Sequence, residues 1–251
     1  MPSPFRSLSV LFASSAVAFA TAAPVLLQAT EPGPWGYGYN KSAFASIYGA
    51  SGYTFGLYTN VTAASVFSAA NPYVCLEGSQ SDAEGFKSFY DANHALIQSW
   101  VGGGGSLVVT FSPQSNLNFD PGFGITASPF YVDVLNAVGT SPVSAGPYGG
   151  ATTMRGYFGA TVEFTGTGLT TLFSGAGGKF MVERAYGRGH VVFSSLTTSF
   201  YGNFTGTENE KFNAVGKNLV AYGQAQAVPE PAALLPLGLA AFALRRRRRT
   251  R

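Results

Sequence analysis

The apolar residues of this chain fall into short runs broken by glycine and proline, with one long stretch of a different rhythm. Phe86, Phe89, Tyr90, Ile97, Trp100 and Val101 recur at helical spacing over four turns, a stripe that a helix would bury on one face. Ser81-Asp82-Ala83-Glu84 precedes the stripe as a capping box, and Gly102 to Gly105 ends it. On either side lie Tyr73-Val74-Cys75-Leu76, followed by Glu77-Gly78, and Leu107-Val108-Val109-Thr110-Phe111, both patterned as buried strands. Strand, helix, glycine stop and strand make a βαβ unit, which implies a parallel sheet with a right-handed crossover.

The other segments extend this pattern. Val25-Leu26-Leu27 predicts a first strand ended by Glu31-Pro32-Gly33-Pro34, and Trp35-Gly36-Tyr37-Gly38-Tyr39 an aromatic loop packed over the core edge, with ligand stacking as the alternative. Ser42 to Gly49 is weakly helical, Tyr53 to Thr59 alternates like a strand, and Thr62 to Ala70 suits a short helix. Ser112 to Gly150 is loop-rich, its prolines leaving room for a short helix at Tyr131 to Val138. Ala160 to Phe164, Leu169 to Phe173, Lys179 to Tyr186 and His190 to Ser195 read as consecutive strands split by glycine turns, where antiparallel pairing is expected. Thr207-Glu208-Asn209-Glu210 is a second capping box, and Phe212, Val215, Leu219 and Tyr222 form one helical face. The expected fold is a single α/β domain over residues 23–223, with a mostly parallel open sheet and antiparallel strands in its C-terminal half. From residue 53 to 223 the order resembles the class I glutamine amidotransferase-like, flavodoxin-like proteins. The likeness rests on the helix leading into Trp100-Val101-Gly102-Gly103-Gly104-Gly105-Ser106, the strand Leu107 to Phe111, and the late run Tyr186-Gly187-Arg188-Gly189-His190-Val191-Val192-Phe193-Ser194.

The two ends carry addresses. Met1 to Ala22 reads as a secretory signal peptide, with Arg6 as its positive region, a small and apolar Leu8 to Ala20, and small-x-small cleavage sites at Ala18-Phe19-Ala20 and Ala20-Thr21-Ala22. After a linker, residues 224–227, come Val228-Pro229-Glu230-Pro231, an uncharged Ala232 to Leu244, and the arginines Arg245, Arg246, Arg247, Arg248, Arg249 and Arg251. As a helix the uncharged segment rises about 20 Å, a short span of a hydrocarbon core roughly 30 Å thick. The arginines act as a stop-transfer signal that keeps the C-terminus cytoplasmic, and the paired prolines hold the motif extended for a protease. The tail 228–251 resembles a PEP-CTERM sorting signal. That resemblance implies an exosortase as processing partner, a transient inner-membrane anchor, and a final place at the cell surface or in the extracellular matrix of Gram-negative bacteria that make extracellular polysaccharide. An ordinary single-span anchor is the alternative.

Charge changes the picture of the body. Arg6 and the six tail arginines are seven of the fifteen basic residues; without them and Glu230, eight bases face eleven acids. A mildly acidic body argues against nucleic-acid binding. Cys75, the single cysteine, has no internal disulfide partner and lies in an apolar run without the Gly-x-Cys-x-Gly elbow of a nucleophile. His94 and His190 fit structural positions, and no metal or nucleotide motif occurs, so neither cofactor nor metal is expected. In an open parallel sheet ligands gather at the carboxyl ends of the strands. That rule groups Glu31, Glu77, Ser112 and Gln114 as a candidate ligand site, with solvated loop residues as the bland alternative. With no catalytic residues assigned, the expected role is a non-catalytic structural or binding component linked to extracellular polysaccharide or biofilm. The rival is a secreted hydrolase or amidotransferase-like enzyme using, for example, Glu31 and Glu77 as a carboxylate pair.

Overall fold

The computed structural model describes residues 22–115 and 117–227. The signal peptide up to residue 21 and the sorting tail 228–251, with its motif and arginines, lie outside the described residues. In chain order the elements are β1 (Val25–Gln28), α1 (Tyr39–Tyr48), β2 (Thr54–Leu57), α2 (Ala63–Val66), β3 (Tyr73–Glu77), α3 (Ala83–Gly102), β4 (Ser106–Thr110) and β5 (Ile125–Ala137). There follow β6 (Ala145–Gly146), β7 (Gly149–Gly150), β8 (Thr153–Gly166), β9 (Thr170–Gly175), β10 (Gly178–Tyr186), β11 (Gly189–Ser194), α4 (Thr198–Tyr201) and α5 (Thr207–Ala225). Among the described residues no helix is long and apolar enough to cross a membrane.

One nine-stranded sheet, in the order β2-β1-β3-β4-β11-β10-β9-β5-β8, carries the mixed α/β fold, and β6 and β7 pair separately. β2, β1, β3, β4 and β11 run parallel, whereas β10, β9, β5 and β8 continue the sheet antiparallel. Because successive strand residues point to opposite faces, each parallel strand serves two cores. Val25, Leu27, Val74, Leu76, Leu107, Val109, Val191 and Phe193 pack with Phe86, Tyr90, Ile97 and Val101 of α3. Leu26, Cys75, Val108 and Val192 pack on the other face with Phe44 of α1 and Phe212, Val215 and Leu219 of α5. The helical phase expected for α3 holds, since Phe86, Tyr90, Ile97 and Val101 are all fully buried. Asn93, which falls near that apolar face, donates from Nδ2 to the Phe89 carbonyl one turn back at 2.7 Å.

Three local expectations need correcting. Residues 131–138 are not a helix: Tyr131 to Ala137 belong to β5, where Val134 and Leu135 pair with Arg155 and Met154 of β8. Long-range pairing overrides local propensity there, and Pro129 is accommodated at the register shift between Pro129 and Val132. Neither capping box forms. A 3₁₀ turn, Gln80–Asp82, leads into α3, and the buried Asp82 carboxylate accepts from the backbone N–H groups of Ala29 and Thr30 at 3.1 Å each and from the Thr30 hydroxyl. Asp82 therefore ties the loop after β1 to α3. Gly206 precedes α5, whose Glu208 accepts from the Arg155 N–H at 2.8 Å and pairs with Lys211 at 2.7 Å.

Candidate functional site

The parallel register aligns four terminal residues. Thr110 pairs with Glu77 on one side and Ser194 on the other, and Gln28 follows the Leu27 to Leu76 pairing, so Gln28, Glu77, Thr110 and Ser194 make one polar row at the carboxyl ends of β1, β3, β4 and β11. Two-residue periodicity puts this row on the face of Leu26, Cys75, Val108 and Val192, beneath α1 and α5. All four side chains are buried. Glu77 Oε2 accepts from Asn40 Nδ2 at 2.8 Å and Oε1 from the Ser79 N–H at 2.7 Å, while the Tyr58 hydroxyl reaches the Glu77 carbonyl at 2.9 Å.

Burial pushes the Glu77 carboxyl up to about 7; hydrogen bonds from Ser79 and Asn40 act against that, and the neighbouring Asp82 adds to it. Asn40, which donates to this carboxyl, is itself half-buried. Around it lie buried polar atoms with no hydrogen-bond partner: Gln28 Oε1 in the row and Ser79 Oγ two residues beyond Glu77. Such atoms are costly to bury. With a carboxyl able to hold or release a proton near neutrality, they make this end of the sheet the best-supplied place for acid chemistry.

Beyond the row lies an aromatic cleft of about 680 Å³. Its walls come from distant parts of the chain: Trp35 from the loop after β1, Tyr131 from β5, Tyr157 and Phe158 from β8, and Phe200 and Tyr201 from α4. Gln114, after β4, and Thr197, after β11, supply polar groups. The cleft is joined to the end of β3, because the Trp35 N–H donates to Gln80 Oε1 at 3.3 Å and the Gln80 N–H to the Ser112 carbonyl at 3.1 Å. Gly156 allows the close fit of β8 on α4, since a Cβ there would lie 2.6 Å from the Tyr201 ring.

The four residues grouped from sequence separate into three settings. Glu77 and Ser112 do lie at the same end of adjacent parallel strands, with Ser112 Oγ 2.9 Å from Thr161 Oγ1 in a buried layer. Gln114 is in the cleft wall. Glu31 is at the surface, engaged by Lys41 with half of its side chain exposed, and it is not among the groups that act on Glu77. The carboxyl that does act on Glu77 is Asp82. Sequence reasoning missed Gln28, Asn40, Ser79 and Ser194. A usable signal existed for Gln28 and Ser194, since each polar residue closes an apolar strand run as Glu77 does. The cleft aromatics had no such signal. Cys75 lies mid-strand under α5, where burial raises its thiol far above the ordinary range, so it is unavailable as a nucleophile.

No family model matches the chain, and no curated protein matches it. Among solved structures it is similar to a cold-adapted β-galactosidase from Rahnella sp. R3, at 15% identity and a TM-score of 0.45, over 81% of this chain and 31% of that one. It is also similar to an exo-β-1,4-mannosidase from an Opitutaceae bacterium, strain TAV5, at 11% identity and a TM-score of 0.46, over 82% and 36% of the two chains. A carbohydrate deacetylase is similar at 11% identity and a TM-score of 0.43, over 77% and 32%. The chain thus spans about a third of the length of each, and no activity is transferred from likenesses this slight. The expectation of a non-catalytic structural or binding body is nevertheless corrected, because the neighbours named here are a β-galactosidase, a mannosidase and a carbohydrate deacetylase, which stand with the hydrolase rival.

Proposed function

We propose that the body is a hydrolase domain whose general acid is Glu77, delivered outside the cell by the signal peptide and the PEP-CTERM-like tail. The observation that carries the catalytic part is the Glu77 carboxyl itself: buried at the carboxyl end of five parallel strands, hydrogen-bonded to the half-buried Asn40, and protonated about half the time near pH 7. In this reading Asn40 swings aside as substrate enters. The proton on Glu77 passes to the leaving oxygen as its bond to carbon breaks; water adds its hydroxyl to the other fragment and returns a proton to the carboxylate. The strand order β2-β1-β3-β4-β11 supports a flavodoxin-like assignment for the parallel half, with the site where ligands gather in that class. Amidotransferase chemistry is not part of the reading, because Cys75 is buried and raised.

The test is hydrolysis of chromogenic glycosides and esters by the full chain and by Glu77→Gln. Turnover should fall as pH rises through about 7, and the variant should lose roughly a hundredfold or more. Equal rates for the two proteins remove Glu77 from the mechanism. The export part is tested separately in a host with an exosortase. Replacing Pro229-Glu230-Pro231 by alanines should strand full-length protein in the inner membrane, whereas normal trimming and surface yield would restore the plain-anchor alternative.

A further inference from the structure

The cleft beside the polar row has a composition that selects its occupant. Its walls present six aromatic rings, and no charged side chain lines it among the described residues. A lining with no cationic side chain gives no reward to phosphate or carboxylate groups, so nucleic acids and acidic peptides are poor occupants. Ring faces instead favour a flat C–H surface. The polar groups at hand, the Gln114 amide and the hydroxyls of Tyr131 and Tyr157, can both donate and accept. A ligand of hydroxyls, which also donate and accept, uses both capacities; a run of prolines offers only carbonyl acceptors. Flat C–H faces edged by hydroxyls are the surface of a pyranose ring.

The cleft is also held in shape against local preference. Trp35 and Phe158 line it with left-handed backbone at φ 56 and 51, and Gln80, which accepts from the Trp35 N–H, has φ 42. Non-glycine residues hold this conformation only when their surroundings impose it, and it concentrates at ligand clamps and active sites. The imposing contacts are present: the Phe158 N–H donates to Asp133 Oδ1 at 2.8 Å, and the Tyr201 hydroxyl donates to the Tyr157 carbonyl at 2.7 Å. Tyr157 is nevertheless 75% exposed. Its ring packs on that of Phe158, with centroids 4.1 Å apart, and an aromatic ring seated in this way and left in water is prepared for a partner.

We infer that this cleft binds a neutral glycan chain, with pyranose rings stacked on Trp35 and Tyr157. This names the substrate class of the hydrolase proposed above and rests on that reading. It is tested by calorimetric titration of the full chain carrying Glu77→Gln, so that binding is read without turnover, using cellohexaose, mannohexaose, a linear galactan oligomer, polygalacturonate and decaproline. At least one neutral oligosaccharide should bind, polygalacturonate and decaproline should not, and Trp35→Ala or Tyr157→Ala should weaken binding by about tenfold or more. Tyr157→Ala should leave the melting temperature unchanged, which separates lost binding from lost fold. Binding of decaproline in preference, no heat with any neutral oligosaccharide, or full affinity in Tyr157→Ala overturns the inference. Glycan binding without turnover by the parent chain would instead overturn the hydrolase reading and leave the cleft assignment standing.

Discussion

Two glutamates near opposite ends of the sheet, the buried Glu77 of the parallel strand β3 and the half-buried Glu183 of the antiparallel strand β10, are held in opposite ways. At the carboxyl end Glu77 has two donors, and burial outweighs them, so the carboxyl rises to about 7. At the other end Glu183 of β10 meets His190 Nε2 at 3.2 Å and the Tyr222 hydroxyl at 2.7 Å. Burial pushes its carboxyl up, but those two hydrogen bonds and the His190 charge outweigh it and hold it below the ordinary range. The nearby Ser106 hydroxyl donates to the Gly223 carbonyl, so this end fastens the last turns of α5 to the sheet. One glutamate is tied into a structural clasp. The other is left with a proton it can give up, which is the difference between a polar group that serves the fold and one the fold tolerates.

The largest effect should come from a layer with neither glutamate. Phe86→Ala, at a fully buried site packed by Tyr90, Phe111 and Phe119, should lower unfolding free energy in urea by about 3–5 kcal/mol. That value is the scale for the rest. Glu77→Gln should go the other way, raising stability at pH 8 by about 3 kcal/mol. The sign follows from the shift: with its folded pKa raised from 4.5 to about 7, Glu77 favours the folded state fully below the unfolded value, and that preference is lost as pH rises through about 7. The gain should therefore vanish in denaturation at pH 4. A variant destabilised equally at both pH values would show that Glu77 belongs to a clasp after all.

Glu183→Gln should be destabilising by about 1–2 kcal/mol at pH 7, because it removes the charged acceptor of two hydrogen bonds. Here the folded pKa is lowered, so the stability is present above the ordinary carboxyl value and is lost as pH falls through the folded one. Opposite pH slopes for the two variants would establish the contrast, and parallel slopes would break it. Tyr222→Phe, which deletes one of the two bonds to Glu183, should show the smallest change, about 1 kcal/mol, with turnover unaffected.

The sequence by itself determined the βαβ unit at residues 73–110, the phase of α3, the run of strands between residues 160 and 195 and the common end of Glu77 and Ser112. Each of these follows from local periodicity and from the handedness of parallel crossovers. It also grouped polar residues at strand ends, and Glu77 was among them. Tertiary structure alone decided the rest. Residues 131–137 became strand because β8 offered a partner; Asp82, an interior residue of the expected capping box, became the acceptor for Ala29 and Thr30 and closed the loop after β1. Glu31 stayed at the surface beside Lys41 while Glu77 was buried against Asn40, so that neighbours on one helix hold one carboxyl each. The cleft was the least legible feature, since Trp35, Tyr131, Tyr157 and Phe200 come from four separate segments. Spacing along a chain reports which residues share a face of one element, but only the packing of whole elements brings rings from four of them to one place.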